Sequence, residues 1–248
     1  MTGLARIASL IALIAVWQYA AGHASPRLLP APAAVFSAMV SEAQSGALLT
    51  NMLATLLRVA AAFALAMSIG SVIGVWMGRK RGVNALLDAW VVILLNLPAL
   101  VVIVLAYIWV GLNEAAAIGA VALNKLPNTI VTMREGARAL DGGLDEMANA
   151  FRMSPWTRLR HVVIPQLAPY FAAAARSGLS LVWKIVLVVE LLGRPNGVGF
   201  EIGTAFQLFD VRLLLAYALP FVALMLAIET FAVQPFERRA SYWRLNAA

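Results

Sequence analysis

The sequence predicts an all-α membrane protein with about six transmembrane helices, and three observations lead there. Of its 248 residues, 62% are hydrophobic and only 12% charged, against roughly 25% charged in a soluble globular domain. The apolar residues form continuous runs near the roughly 20-residue length that crosses a bilayer core of about 30 Å. The basic residues sit in short clusters between those runs. A net charge of +7 invites a nucleic-acid reading, but no basic stripe with interleaved aromatics is present to support one. The chain has no cysteine, which excludes disulfides and thiolate metal sites. A membrane β-barrel requires alternating polar and apolar positions, and these runs are continuous.

Six segments qualify as spans, at approximately 6–23, 52–77, 85–110, 115–134, 168–192 and 212–234. The first run, Ile7 to Ala21, has the length of a signal-peptide core and one basic residue before it. Only Ala20-Ala21-Gly22-His23-Ala24 resembles a cleavage site, and five more spans follow, so it is read as a retained first helix. Lys and Arg in the connections orient the chain. With the N-terminus in the cytoplasm, the inside carries Arg6, Arg79, Lys80, Arg81, Arg134, Arg138, Arg152, Arg158, Arg160, Arg238, Arg239 and Arg244. The outside carries Arg27, Arg194 and Arg212. This asymmetry places both termini in the cytoplasm.

The longest polar connection, about 135–166, is then cytoplasmic. Asp141-Gly142-Gly143 signals a turn, and Asp145 to Met153 reads as a short helix. Ser154-Pro155 opens a second helix, with Ser as N-cap and Pro at the first helical position, ending before Pro165. The pair presents Met147, Phe151, Met153 and Trp156 to the cytoplasm or the membrane surface. An ordinary interfacial amphipathic helix would show similar residues. On the outside, Leu28-Leu29-Pro30-Ala31-Pro32 leads into an amphipathic stretch, Ala33 to Ala43. A second external connection, Gly193 to Asp210, carries Gly197, Gly199 and Gly203.

Gly70, Gly74 and Gly78 share one helical face and predict close helix packing, either within the chain or between copies. Charges within spans are costly and therefore candidates for function. Lys125 lies near the middle of span four beside Asn124 and close to Pro127. A helix break there frees backbone groups that an anion could use. Asn96-Leu97-Pro98 makes a comparable break in span three. Asn96, Asn124, Lys125 and Lys184 are thus the substrate-pathway candidates. An internal ion pair or a snorkelling side chain are the structural alternatives for Lys125. Lys184 and Glu190 are six residues apart, about 240° round the helix, and do not pair within it. Glu190 reads as structural, and Glu229 as one half of an unassigned ion pair.

Glu146-Met147-Ala148, then Ser154 and Trp156, then Val162, Ile164 and Pro165, resemble the EAA loop of binding-protein-dependent ABC importer permeases. Leu29-Pro30-Ala31-Pro32, Thr55-Leu56-Leu57-Arg58-Val59 with Phe63, and the three glycines are similar to the nitrate, taurine and alkanesulfonate subfamily. So are Glu190-Leu191-Leu192-Gly193 and Gly197-Val198-Gly199-Phe200. The resemblance covers about residues 29–236. It implies a type I ABC importer permease fold in a bacterial inner membrane, with the loop docking a cytoplasmic ABC ATPase. The implied ATPase contacts are Glu146, Met147, Ala148, Phe151, Arg152, Met153, Ser154, Trp156 and Pro165. It also implies a homodimer, two ATPase copies, and a periplasmic or extracellular solute-binding protein delivering a small solute such as a sulfonate or nitrate. ATP and Mg would be bound by the ATPase, with no cofactor or metal in this chain. Two positions depart from the pattern: Met147 replaces an alanine, and Arg152 stands where the family has a turn glycine.

The chain has no Gly-x-x-x-x-Gly-Lys-Ser/Thr phosphate loop and no catalytic Ser-His-Asp set, so it is not read as an enzyme. Its two histidines, His23 and His161, fall on opposite membrane faces. The alternative function is a secondary transporter coupled to an ion gradient, which would need carboxylates near the membrane midplane.

Overall fold

The computed structural model describes residues 2–237, so Arg238, Arg239 and Arg244 lie outside the described residues. Among those residues all regular structure is helical. The helices are α1 (Thr2–His23), α2 (Pro32–Gln44), α3 (Ala47–Arg79), α4 (Arg81–Asn96), α5 (Ala99–Val110), α6 (Glu114–Arg138), α7 (Gly142–Ala150), α8 (Pro155–Arg158), α9 (Ile164–Gly193), α10 (Val198–Gln207) and α11 (Val211–Ile228).

Three helices are long and apolar enough to cross a membrane, Ala47–Arg79, Pro155–Gly193 and Val211–Glu237, and the bent pair Arg81–Asn96 and Ala99–Val110 makes a fourth if it is taken as one span. The bend falls at Asn96-Leu97-Pro98, the break expected within the 85–110 segment, and divides that segment into two helices. α4 and α5 meet at 99°, because Pro98 restricts Leu97 to an extended conformation with ψ of 125°. The Asn96 amide donates 2.8 Å back to Val92 O and satisfies one carbonyl freed at that break. The remaining two of the six expected spans are weaker by composition. Among the described residues α1 offers a shorter apolar helix, Ala8–His23, and α6 carries Asn124, Lys125 and Asn128 through its middle.

Three expectations are corrected. The first helix of the 135–166 connection begins at Gly142 rather than Asp145, because Asp141 Oδ1 accepts the Gly143 N–H at 2.7 Å and caps it. The second begins at Pro155 as expected, with Ser154 Oγ accepting from Thr157 N, but it does not end before Pro165. It continues as one 39-residue helix, Pro155–Gly193. A π-helical turn at Leu159–Val163 brings the Ile164 N–H to Leu159 O. That register shift accommodates the bond Pro165 cannot donate. The connection 193–210, lastly, is mostly the helix α10.

The chain divides into two compact units. The first comprises Met1–Leu56 and Glu190–Leu224. In it the Trp17 indole donates to Pro30 O at 3.1 Å, and the Tyr217 hydroxyl donates to Glu42 at 2.8 Å. The start of α10 is held by side chains. Asn51 Oδ1 accepts the Gly197 N–H, Thr55 Oγ1 accepts the Val198 N–H, and Glu190 accepts the Gly199 N–H, each at 2.8 Å. The Thr55 hydroxyl donates in turn to Glu190 at 2.9 Å. A fully buried carboxylate is thereby stabilised by hydrogen bonds and by the positive end of α10. Gly197 is required here twice over. Its φ is +113°, and a Cβ would lie 2.4 Å from the Glu190 carboxyl carbon. Glu190 is therefore structural, as the sequence suggests.

The second unit comprises Leu57–Val189 and Met225–Ala248. Its core joins Val59, Ile103, Val121, Val182 and Val186, all buried. The glycine face of α3 packs on α6. A Cβ would come 2.7 Å from Thr129 at Gly70, 2.5 Å from Ile130 O at Gly74, and 2.6 Å from Ala137 at Gly78. The small-residue face is thus used within the chain. Near the start of α6, Arg58, only 6% exposed, holds Glu114 through Nε at 2.9 Å and Nη2 at 2.7 Å.

Candidate functional site

The 135–166 connection forms an elbow of α7 and α8, all within the second unit. Ala148 turns inward, 1% exposed, while Val162 and Val163 are also buried. Val163 and Leu167 pack on Met133 and Ala137 of α6. The elbow is also tied by polar bonds. Arg158 Nε donates to Asp145 Oδ1 at 3.0 Å and Nη1 to Asn149 Oδ1 at 3.2 Å. Gln166 Oε1 accepts the Asp141 N–H at 2.8 Å. Against this anchored inner side, the outer side is open. Phe151 is 75% and Trp156 67% exposed, and Glu146, Met147, Arg152 and Ser154 are exposed beside them. Met153 is half-buried, and Pro165 is exposed on the helix leaving the elbow.

Arg152 resolves the departure from the glycine pattern. Its φ is +48°, the left-handed conformation that a helix-ending glycine normally supplies. The Met153 N–H donates to Ala148 O at 2.9 Å and the Arg152 N–H to Asn149 O at 3.0 Å. The turn is therefore kept with arginine in the glycine position.

From the elbow the helix runs unbroken into α9, whose two sides differ in character. Ala172, Ala174, Val182, Val186 and Val189 are buried. Arg176, Ser177 and Lys184 are exposed, with Ser180 half-buried. These four lie within about 12 Å of helix length. A Lys or Arg facing hydrocarbon near mid-membrane costs about 2.5–3.5 kcal/mol, so this face suits water or a protein partner. The Lys184 ammonium lies 5.6 Å from the Trp183 ring centroid. Arg176 reaches Glu237 at 2.7 Å, rather than Glu229.

The four pathway candidates do not converge. Lys125 is buried, 2% exposed, against Gly178 of α9. That burial excludes snorkelling, and no described residue forms an ion pair with it. Asn124 is half-buried beside it, Lys184 is on the outer face of α9, and Asn96 is exposed at the α4 end. The Asn96 amide donates to Val92 O on its own helix instead. Sequence reasoning missed Gly178, Ser177, Ser180 and the Arg158–Asp145 pair. An isolated glycine in a helical pattern was the available signal for the first.

A family model described as a binding-protein-dependent transport system inner membrane component matches residues 66–239. A relative from Escherichia coli strain K12, which carries the name of an aliphatic sulfonates transport permease, SsuC, is 30% identical over 94% of this chain and 89% of its own. The bicarbonate transport system permease CmpB of Synechococcus elongatus is 26% identical over 81% of this chain and 76% of its own. Among solved structures, an inward-facing MetNI methionine ABC transporter chain superposes with a TM-score of 0.65. It shares 20% identity, over 78% of this chain and 96% of that one. This last likeness is one of fold.

Proposed function

The chain belongs to the binding-protein-dependent transport system inner membrane component family, and on that premise we propose that it forms the membrane pathway of an ATP-binding-cassette importer for a small oxyanion. Membership displaces the ion-coupled secondary transporter. The names of its relatives, sulfonate and bicarbonate permeases, support the anion class.

One observation carries the mechanism. The second half of the elbow, α8, and the polar face of α9 belong to a single helix, Pro155–Gly193, and Arg158 ties α7 to it through Asp145. A rigid helix transmits displacement at one end to the other. In this reading the elbow docks a cytoplasmic ATPase through Glu146, Met147, Phe151, Arg152 and Trp156. ATPase closure pulls the elbow, and α9 carries the movement to Ser177, Ser180 and Lys184, which line the pathway. The two short helices of the elbow fill a partner groove as an amphipathic helix does.

The remaining parts follow from the same reading. The chain sits in a bacterial inner membrane with both termini cytoplasmic, as the basic residues argue. Two copies pair, each binding one ATPase, and the polar faces of α9 meet water between them rather than lipid. The ATPase holds ATP and Mg, and an external binding protein delivers the solute.

The test is co-purification of the tagged chain with its ATPase, comparing wild type with a Phe151→Asp, Trp156→Asp variant. Both side chains are largely exposed, so the fold is expected to survive, whereas a charge at buried Ala148 would damage it. We expect the ATPase to be lost from the variant at unchanged thermal stability. Equal recovery from both would remove the elbow from the docking role.

A further inference from the structure

We propose that Lys125 is the cation that coordinates the transported oxyanion inside the membrane, held closed against Gly178 in this conformation. The proposal rests on the transporter reading above and goes beyond it in naming the group that meets the substrate.

Lys125 lies close to the middle of α6, eleven residues from Glu114 and thirteen from Arg138, so roughly 16–20 Å of helix separates it from either end. Its side chain is 2% exposed and crosses to α9. There a Cβ on Gly178 would fall 2.3 Å from its Cε and 3.0 Å from its Nζ. Only glycine leaves room for it. One turn away on either helix lie Val121, Ala122 and Thr129 on α6, and Ala174, Ala175 and Val182 on α9, all buried and none of them charged. Among the described residues none gives the ammonium a carboxylate or a hydrogen-bond acceptor.

Buried lysines are ordinarily paired, and unpaired ones are expensive in the membrane. A methionine would fill the same space at lower cost, so packing alone does not account for the lysine. An ammonium has three donors, and a sulfonate, nitrate or bicarbonate supplies acceptors of matching charge. Because Gly178 sits on the helix that continues into the elbow, separating α6 from α9 at this point both exposes Nζ and moves with ATPase closure. Anion binding and opening then become one equilibrium.

The experiment uses the complete transporter in lipid nanodiscs and vesicles, comparing wild type, Lys125→Met and Lys125→Arg. Thermal unfolding is measured with butanesulfonate, nitrate and bicarbonate against potassium chloride of equal ionic strength. Uptake of any anion that raises the wild-type midpoint follows. We expect at least one anion to stabilise wild type saturably. Lys125→Met is expected to be more stable than wild type without anion, since an apolar side chain replaces an unpaired charge. It should lose the anion response and reduce uptake to the level of empty vesicles, while Lys125→Arg keeps part of both. The proposal is overturned if no tested anion shifts wild type, or if Lys125→Met keeps the full anion response. A Lys125→Met protein less stable than wild type would also overturn it and assign the lysine to the fold. Recovery of the ATPase with wild type is scored separately, and its failure would count against the importer reading instead.

Discussion

Arg158 and Asp145 clamp the elbow: the guanidinium Nε donates to the carboxylate at 3.0 Å, from a side chain 29% exposed to one 36% exposed. The pair joins α7 to α8 and so makes the elbow move as one piece with α9. A part-exposed pair of this kind contributes about 0.2–1 kcal/mol to stability. We therefore expect Asp145→Asn to change the unfolding midpoint little. Its effect should appear in coupling, with ATP hydrolysis by the complex retained and uptake per ATP reduced. The ratio of uptake to hydrolysis in vesicles measures this, and an unchanged ratio would leave the clamp with a structural role only.

The left-handed Arg152 gives a second prediction. A side chain in that conformation costs about 1–2 kcal/mol relative to glycine, part of which is returned by glycine's greater freedom in the unfolded chain. Arg152→Gly should raise stability by up to about 1 kcal/mol, and Arg152→Val should lower it, because a β-branched residue tolerates positive φ least. Unfolding midpoints of the three proteins decide it. A Val variant as stable as wild type would contradict the assigned turn.

The packing of α3 on α6 allows an internally controlled comparison. At Gly74 a Cβ would meet the Ile130 carbonyl oxygen at 2.5 Å, whereas at Gly82 nothing lies within 4 Å. Gly74→Ala forces backbone apart and should destabilise by about 1–3 kcal/mol. Gly82→Ala lies in helix α4 and should stabilise by up to about 1 kcal/mol. Yield of folded protein and unfolding midpoint are the readouts, and similar values for both variants would argue against the α3–α6 contact.

Glu201 predicts a pH dependence. Burial raises its carboxyl above the ordinary range, the hydrogen bond from Asn51 opposes this, and Glu42 nearby adds to the rise. A carboxyl raised on folding favours the folded state most below its unfolded pKa, and that contribution is lost as pH rises through the folded value. Glu201→Gln can still accept from Asn51 and cannot ionise. Its stability should fall less than that of wild type as pH climbs from the ordinary carboxylate range. Parallel curves would remove Glu201 as the titrating group.

Much of the architecture was legible in the chain because the relevant signals are local. Apolar runs mark spans, Ser154-Pro155 marks a helix start, and Asn96-Leu97-Pro98 marks the break where α4 meets α5. The order of short motifs from Leu29 to Phe200 was enough to suggest the family. The elbow was legible too, except for the start of α7 and its exit. Pro165 reads locally as a stop, and only a π-helical turn stabilised by packing on α6 carries the helix through it.

By itself the sequence determined the helical class, the apolar runs, the basic clusters between them and the likeness to importer permeases. All of these depend on composition and on residues within a few turns of one another. The tertiary structure alone decided which faces meet. It put Gly70, Gly74 and Gly78 against α6, Glu190 on Thr55 across 135 positions of chain, and Lys125 on Gly178 with no partner for its charge among the described residues. Periodicity shows that a face is apolar, small or charged. It does not show which distant helix covers that face, because the choice is made by the fit of side chains brought together only on folding.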